Sequence, residues 1–201
     1  GRYFEQKENI WRWQRSRLWE TVEDLYTQSY VLPYLVPMLE NAGANVLLPR
    51  ERDTQKHELI IDNDESLTSG RYQERNGKQK WESGGVGFAY KREFYLTGQN
   101  PFKDGTTRVT ESIENGKESI AEWYGSVAEN GTYAVYVSYE SFGDKSAKDA
   151  KYTVHHAGGE SHFAVNQSMG GSMWVYLGDF EFSAGKECLL VSLSNVGSEA
   201  G

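Results

Sequence analysis

Residues 132–139 read Thr-Tyr-Ala-Val-Tyr-Val-Ser-Tyr, placing Tyr133, Val135, Val137 and Tyr139 at every second position. A period of two sends those four side chains to one face of a β-strand, and the Asn130-Gly131 pair just before them is a turn signal. Moving outward, the same texture continues on both sides. Short apolar or alternating runs at 58–62, 88–95, 118–124, 151–156, 161–166, 173–182 and 188–194 are predicted strands. Between them stand Asn76-Gly77, Asn115-Gly116, Gly158-Gly159, Gly170-Gly171 and Ala184-Gly185. Many short strands at this spacing predict a mainly β protein, an antiparallel β-sandwich of jelly-roll type.

The pattern changes upstream of His57. Only Gly1 and Gly43 of the 21 glycines fall in the first 57 residues, whereas three of the four prolines do, Pro33, Pro37 and Pro49. From Asn9 to about Leu32 the apolar positions Trp11, Leu18, Val22, Leu25 and Tyr26 recur at helical spacing, which predicts a helix. Pro33 must bend or restart it, and 32–41 reads as a second helical stretch capped by Gly43. The apolar run Asn45-Val-Leu-Leu-Pro49 reads as a short strand. Trp11, Trp13 and Trp19 are then an aromatic helix face that wants a partner layer. The chain is accordingly divided into 1–57, a helix and strand segment, and 58–201, the sandwich.

Composition excludes several classes. The chain has 201 residues, 38% of them hydrophobic and 13% aromatic, which describes a folded protein with a core of useful size. No run approaches the roughly 18 apolar residues of a membrane span, and the opening residues lack the apolar core of a signal peptide. The formal net charge is −8. Residues 1–57 balance eight Lys/Arg against eight Asp/Glu, so the whole excess of acid, 21 against 13, lies in 58–201. Nucleic-acid binding relies on clustered Lys and Arg and is set aside. The one cysteine, Cys188, cannot form an internal disulfide and reads as a small core residue of an apolar strand.

Five further stretches carry a family resemblance. They are AEWYGSVAENGTYAVYVSY from Ala121, YTVHHAGGESHFAVNQ from Tyr152, GGSMWVYLGDFEFSAG from Gly170, the closing LSN at 193–195 and the opening Ile61-Asp-Asn-Asp64. Together they resemble the golvesin C-terminal, or xanthan-lyase carbohydrate-binding-like, domain over about residues 58–197. That resemblance implies a β-sandwich accessory module of secreted bacterial or cell-envelope proteins, with a glycan such as peptidoglycan or another polysaccharide as partner. The first segment is similar to part of a zinc-dependent N-acetylmuramoyl-L-alanine amidase, through Glu23-Asp-Leu, Leu39-Glu-Asn-Ala-Gly-Ala and Val46-Leu-Leu-Pro-Arg50. It implies Glu23 as a zinc ligand in a longer parent protein whose remaining amidase domain would be this segment's partner. The chain itself is expected to need no cofactor. A catalytic role completed outside this chain and a purely structural insert are the alternatives to glycan binding.

Candidate ligand-binding residues are Trp81 and Tyr90. They lie in NGKQKWESGGVGFAY, a polar, glycine-rich stretch where a large aromatic is costly unless it packs or binds. Trp123 and Trp174, inside predicted strands, read as core. His155 and His162 could meet across a hairpin and hold a metal, or serve as ordinary hydrogen-bonding residues. Asp62, Asn63 and Asp64 could ligate calcium, or cap their own turn.

Overall fold

The computed structural model describes residues 2–15, 19, 26–48, 57–64, 67–92, 95–96 and 98–197. Two compact units emerge, one of Gly1–Leu48 with Phe94–Gln99 and the other of Pro49–Glu93 with Asn100–Gly201. Among the described residues no helix is long and apolar enough to cross a membrane.

The smaller unit departs from its predicted helix. β1 (Arg2–Glu5) and β2 (Ile10–Trp13) form an antiparallel hairpin, with Phe4 opposite Trp11 and Glu5 opposite Ile10. Aromatic and β-branched residues on both arms favour pairing, and Asn9, at φ 53°, supplies the left-handed turn residue that asparagine tolerates best. Trp11 and Trp13 thus belong to a strand and not to a helix face. Helix does form downstream. Gln28–Tyr30 leads into a π-helical turn at Val31–Leu35 and then an α-helix at Val36–Asn41. The π turn absorbs Pro33, which has no N–H to give, and Pro37 sits in the first turn of the restarted helix, where it costs little. Gly43, at φ +85°, closes that helix: its N–H donates to the Glu40 carbonyl and the Ala44 N–H to that of Leu39, the paired bonds of a Schellman cap. Residues 45–48, expected to be strand, join no ladder.

The larger unit contains the remaining strands. β3 (Arg71–Arg75), β6 (Ile120–Gly125), β8 (Ala150–His156), β9 (Gly159–Val165) and β11 (Cys188–Ser194) form a five-stranded sheet in the order β3-β6-β11-β8-β9. β7 (Gly131–Val137) pairs with β10 (Val175–Phe182), and β4 (Glu82–Gly87) with β5 (Gly105–Val109). Every one of these strand pairings is antiparallel.

Alternation explains the layers. Tyr133, Val135 and Val137 of β7, with Leu177 and Phe182 of β10, pack on Tyr152, Val154, Val191 and Phe163 of the large sheet. This is the dry interface of a sandwich, and Val154 at its centre has no exposed surface. The opposite face of the sheet is polar, because the register sets Gln73, Glu122, Ser192, Thr153 and His162 side by side across all five strands.

Three differences from the sequence reading stand out. Residues 58–62 form no ladder, although Leu59 and Ile61 still pack against the core. The expected strand at 88–95 joins no ladder at its described residues; β4, which was not expected, ends at Gly87 and leaves Phe88 and Ala89 buried beyond it. Cys188 is exposed at the first position of β11, the end of the strand, and is not part of the core.

Candidate functional site

A cavity of about 280 Å³ opens between β7, the inner end of β6, the β4–β5 hairpin and the extended segment 57–63. It exists because the β7–β10 ribbon is narrower than the five-stranded sheet, so one side of that sheet's inner face is roofed by loops and a small hairpin. Aromatic rings make its walls. Phe88 packs edge-on to Trp174 at 4.8 Å between centroids and against Phe102 at 5.3 Å, and Phe102 lies 6.3 Å from Trp174. Trp123, in contact with Tyr72 at 5.3 Å, lines the cavity from β6. Both tryptophans are half-buried, so part of each indole is available.

Polar groups border the rings. Asp62 and Glu140 line the cavity. Glu140 is held by the Ser172 hydroxyl, which donates to its carboxylate at 2.7 and 2.9 Å. Asp62 accepts the Asp64 N–H at 2.9 Å, an Asx turn, while Asp64 accepts the Thr106 N–H and hydroxyl and thereby ties the turn to β5. The oxygen-rich run 62–64 is thus used as a turn and a strand tether. Burial is the main cause that lifts the Asp62 carboxyl from its usual 3.8 to about 6; the neighbouring Asp64 charge adds to the rise, and the Asp64 N–H and Lys91 oppose it. The folded chain therefore holds this proton after the unfolded chain has lost it, and stability falls as pH rises from about 4 to about 6. Asp62→Asn keeps the acceptor oxygen of the turn and removes the buried charge. It is expected to flatten that decline and to raise stability at neutral pH by on the order of 1 kcal/mol after solvent screening, read from urea midpoints across the pH range.

The residues singled out from sequence fall elsewhere. Trp81 is buried at the foot of β4, its N–H donating to Asn76 Oδ1 and its carbonyl accepting from Arg108. Its indole Nε1 meets no acceptor among the described residues. Tyr90 is half-buried and its carbonyl accepts the Leu67 N–H. Neither residue lines the cavity. The cavity tryptophans are the two that read as core, and strand alternation alone could not reveal that their part of the sheet lacks a full second layer. Glu23 lies outside the described residues.

Three of the four histidines, His155, His156 and His162, belong to the β8–β9 hairpin. His155 stands opposite Glu160 and His162 opposite Thr153, so the two imidazoles are diagonal neighbours on the polar face. His162 Nδ1 is 3.0 Å from the Thr153 hydroxyl. His155 Nδ1 is 3.1 Å from a Glu160 oxygen and its Nε2 3.1 Å from the Ser192 hydroxyl. Carboxylate, imidazole and hydroxyl in line could move a proton. Ser192, however, sits in a central strand whose backbone amides are taken up by the ladders on both sides, so the geometry lacks the free N–H pair that acyl transfer requires. Among the described residues no group of three His, Cys, Asp or Glu side chains is placed to hold a metal ion.

Comparison with known proteins adds the family. The golvesin C-terminal domain matches residues 94–201, more than half of the chain. The chain belongs to the golvesin C-terminal domain family. A solved structure of Paenibacillus xanthan lyase is similar at 17% identity and a TM-score of 0.38, over 64% of this chain and 13% of that one. The chain thus spans a small part of that lyase's length. No curated protein matches. The golvesin match does not reach 23–53, where the amidase-like resemblance lies.

Within this golvesin domain most of the stretches that carry the resemblance do structural work. Tyr152-Thr-Val-His-His-Ala-Gly-Gly159 is the β8–β9 hairpin, and Gly178 sits at the bulge of β10. Gln167 Nε2 donates to the Tyr152 hydroxyl at 2.9 Å. Only Trp123 and Trp174 place family-like tryptophans on the cavity.

Proposed function

We propose that this golvesin domain is a noncatalytic accessory module of a secreted or cell-envelope protein that acts on polysaccharide, and that it binds or positions a glycan in the aromatic cavity. The observation that carries this reading is the pairing of two half-buried indoles, Trp123 and Trp174, with hydrogen-bond acceptors at Asp62 and Glu140 around a space of about 280 Å³. Such a combination suits a sugar, whose C–H face packs on an aromatic ring while its hydroxyls donate to carboxylates. The volume is near the lower end of the roughly 300–1,000 Å³ of small-molecule sites, enough for one sugar ring of a chain.

Calorimetric titration with soluble peptidoglycan fragments and xanthan oligosaccharides tests the reading. Saturable heat that falls by about tenfold or more in affinity in Trp174→Ala, about 1.4 kcal/mol, is the expected result. Trp81→Phe is the companion variant and should bind as the parent does. Loss in Trp81→Phe with binding retained in Trp174→Ala would move the site to the glycine-rich stretch, and no heat across the panel would leave the domain as a structural insert.

A further inference from the structure

The cavity is chemically one-sided. Its acidic and basic side chains are Glu58, Asp62, Glu140 and His57, beside the phenols of Tyr133, Tyr136, Tyr139 and Tyr152, and among the described residues neither lysine nor arginine lines it. Lys91 acts on Asp62 only from beyond the lining, and its ammonium is engaged by the Asp104 carbonyl at 3.0 Å. We infer, resting on the glycan reading above, that the cavity selects uncharged or amine-bearing sugars and rejects uronic acids, with Asp62 as the residue that sets the preference.

Four physical arguments converge on this. A sugar hydroxyl or ammonium is a donor, and carboxylates accept only; the Asp62 and Glu140 oxygens therefore complement neutral and cationic sugars and have nothing to offer a uronate carboxylate. Asp62 is already penalised for carrying charge at its half-buried position, since burial raises its pKa, and a second carboxylate in the same low-dielectric space meets the same desolvation together with like-charge repulsion. A bound cation, by contrast, relieves that penalty. The wider field agrees in sign, because the whole excess of acid, 21 acidic against 13 basic residues, lies in 58–201. Anionic recognition in proteins uses arginine forks or lysines at the ligand, and the cavity wall provides neither.

The test uses the full chain at neutral pH and three soluble probes of matched length: a cello-oligosaccharide, a chitosan oligosaccharide and an oligogalacturonate. Calorimetry is expected to give saturable binding of the first two, tightest for the chitosan, with the oligogalacturonate weaker than the cello-oligosaccharide by about tenfold or more. Asp62→Asn should bring the galacturonate to within a few-fold of the neutral sugar and lower the chitosan affinity. This variant is expected to be at least as stable as the parent, so a change in binding is not a folding defect. Trp174→Ala must also remove the chitosan heat; attraction of a polycation to an acidic surface would survive that substitution and would overturn the inference. Galacturonate bound as tightly as the neutral sugar would overturn it while leaving the glycan reading intact, and no binding of any probe would overturn both.

Discussion

Asn195→Ala is expected to destabilise the sandwich by about 3 kcal/mol, lowering the denaturant midpoint of tryptophan fluorescence without changing its slope. Asn195 closes the LSN motif and is buried. Its side chain works in both directions: Oδ1 accepts the Ser119 N–H at 2.7 Å, and Nδ2 donates to the Glu111 carbonyl at 2.8 Å. Its backbone adds two bonds, the N–H to the Ser119 carbonyl at 3.1 Å and the carbonyl from the Ile113 N–H at 2.9 Å. Ser119 is itself completely buried and carries the connection onward, donating to the Gln79 carbonyl and accepting the Gly77 N–H at 2.9 Å. Gly77 must be glycine for this approach, since a Cβ there would lie 2.1 Å from the Lys117 carbonyl oxygen. Alanine at 195 leaves the buried Ser119 N–H without a partner, an orphan that costs about 1–3 kcal/mol, and takes the donor from the Glu111 carbonyl, a lost bond worth about 1 kcal/mol more. A loss below about 1 kcal/mol would mean that water replaces both bonds.

Arg108→Ala is expected to cost about 2 kcal/mol. The guanidinium of β5 grips Glu74 of β3 with two bonds, Nε at 2.6 Å and Nη2 at 3.0 Å, and Nη2 also donates to the Trp81 carbonyl at 3.2 Å. Tyr72 completes the cluster, its hydroxyl donating to Glu74 at 2.9 Å, and burial together with that acceptor holds the phenol well above its ordinary pKa. The pair is mostly shielded, with side-chain exposures of 29% for Arg108 and 18% for Glu74. Removing one member of a shielded pair strands the other charge at about 3–5 kcal/mol when burial is complete, and the remaining exposure brings the expectation down. Replacing both is different. Glu74→Leu with Arg108→Met should recover most of the loss, because no charge is left to desolvate. Urea unfolding of the two single variants and the double variant gives the coupling directly, and a near-additive cycle would show that the pair does not hold the β4–β5 hairpin to the sheet.

The strands that were legible are those rich in β-branched and aromatic residues and bounded by glycine turns, even where a bulge interrupts the period of two, as in β10 and β11. β6 to β11 follow the alternation of Tyr133, Val135 and Val137 and the runs at 151–156, 161–166 and 188–194. β3 and β4 escaped notice for opposite reasons. Arg71-Tyr-Gln-Glu-Arg75 is almost wholly polar because its inward positions are Tyr72 and Glu74, and the Glu74 carboxylate is made tolerable there only by Arg108, 34 residues away in sequence. Glu82-Ser-Gly-Gly-Val-Gly87 has low strand propensity, yet its glycines suit the close approach of β5, where a Cβ at Gly84 would collide with Val109 and Thr107. At the N-terminus Trp11 satisfied a helical spacing by coincidence, and the strand that holds it and Trp13 pairs with β1.

Sequence alone determined the fold class, the family and the charge of the larger unit, because alternation, turn chemistry and composition are local properties of the chain. It also placed Trp123 and Trp174 in predicted strands and Trp81 in a glycine-rich stretch. Only the tertiary structure decided which of them face open space: Trp81 is enclosed by packing, while Trp123 and Trp174 border a cavity, since the roof over each depends on how far a two-stranded ribbon extends across a five-stranded sheet. That extent is set by contacts between residues distant in the chain, and no local pattern records it.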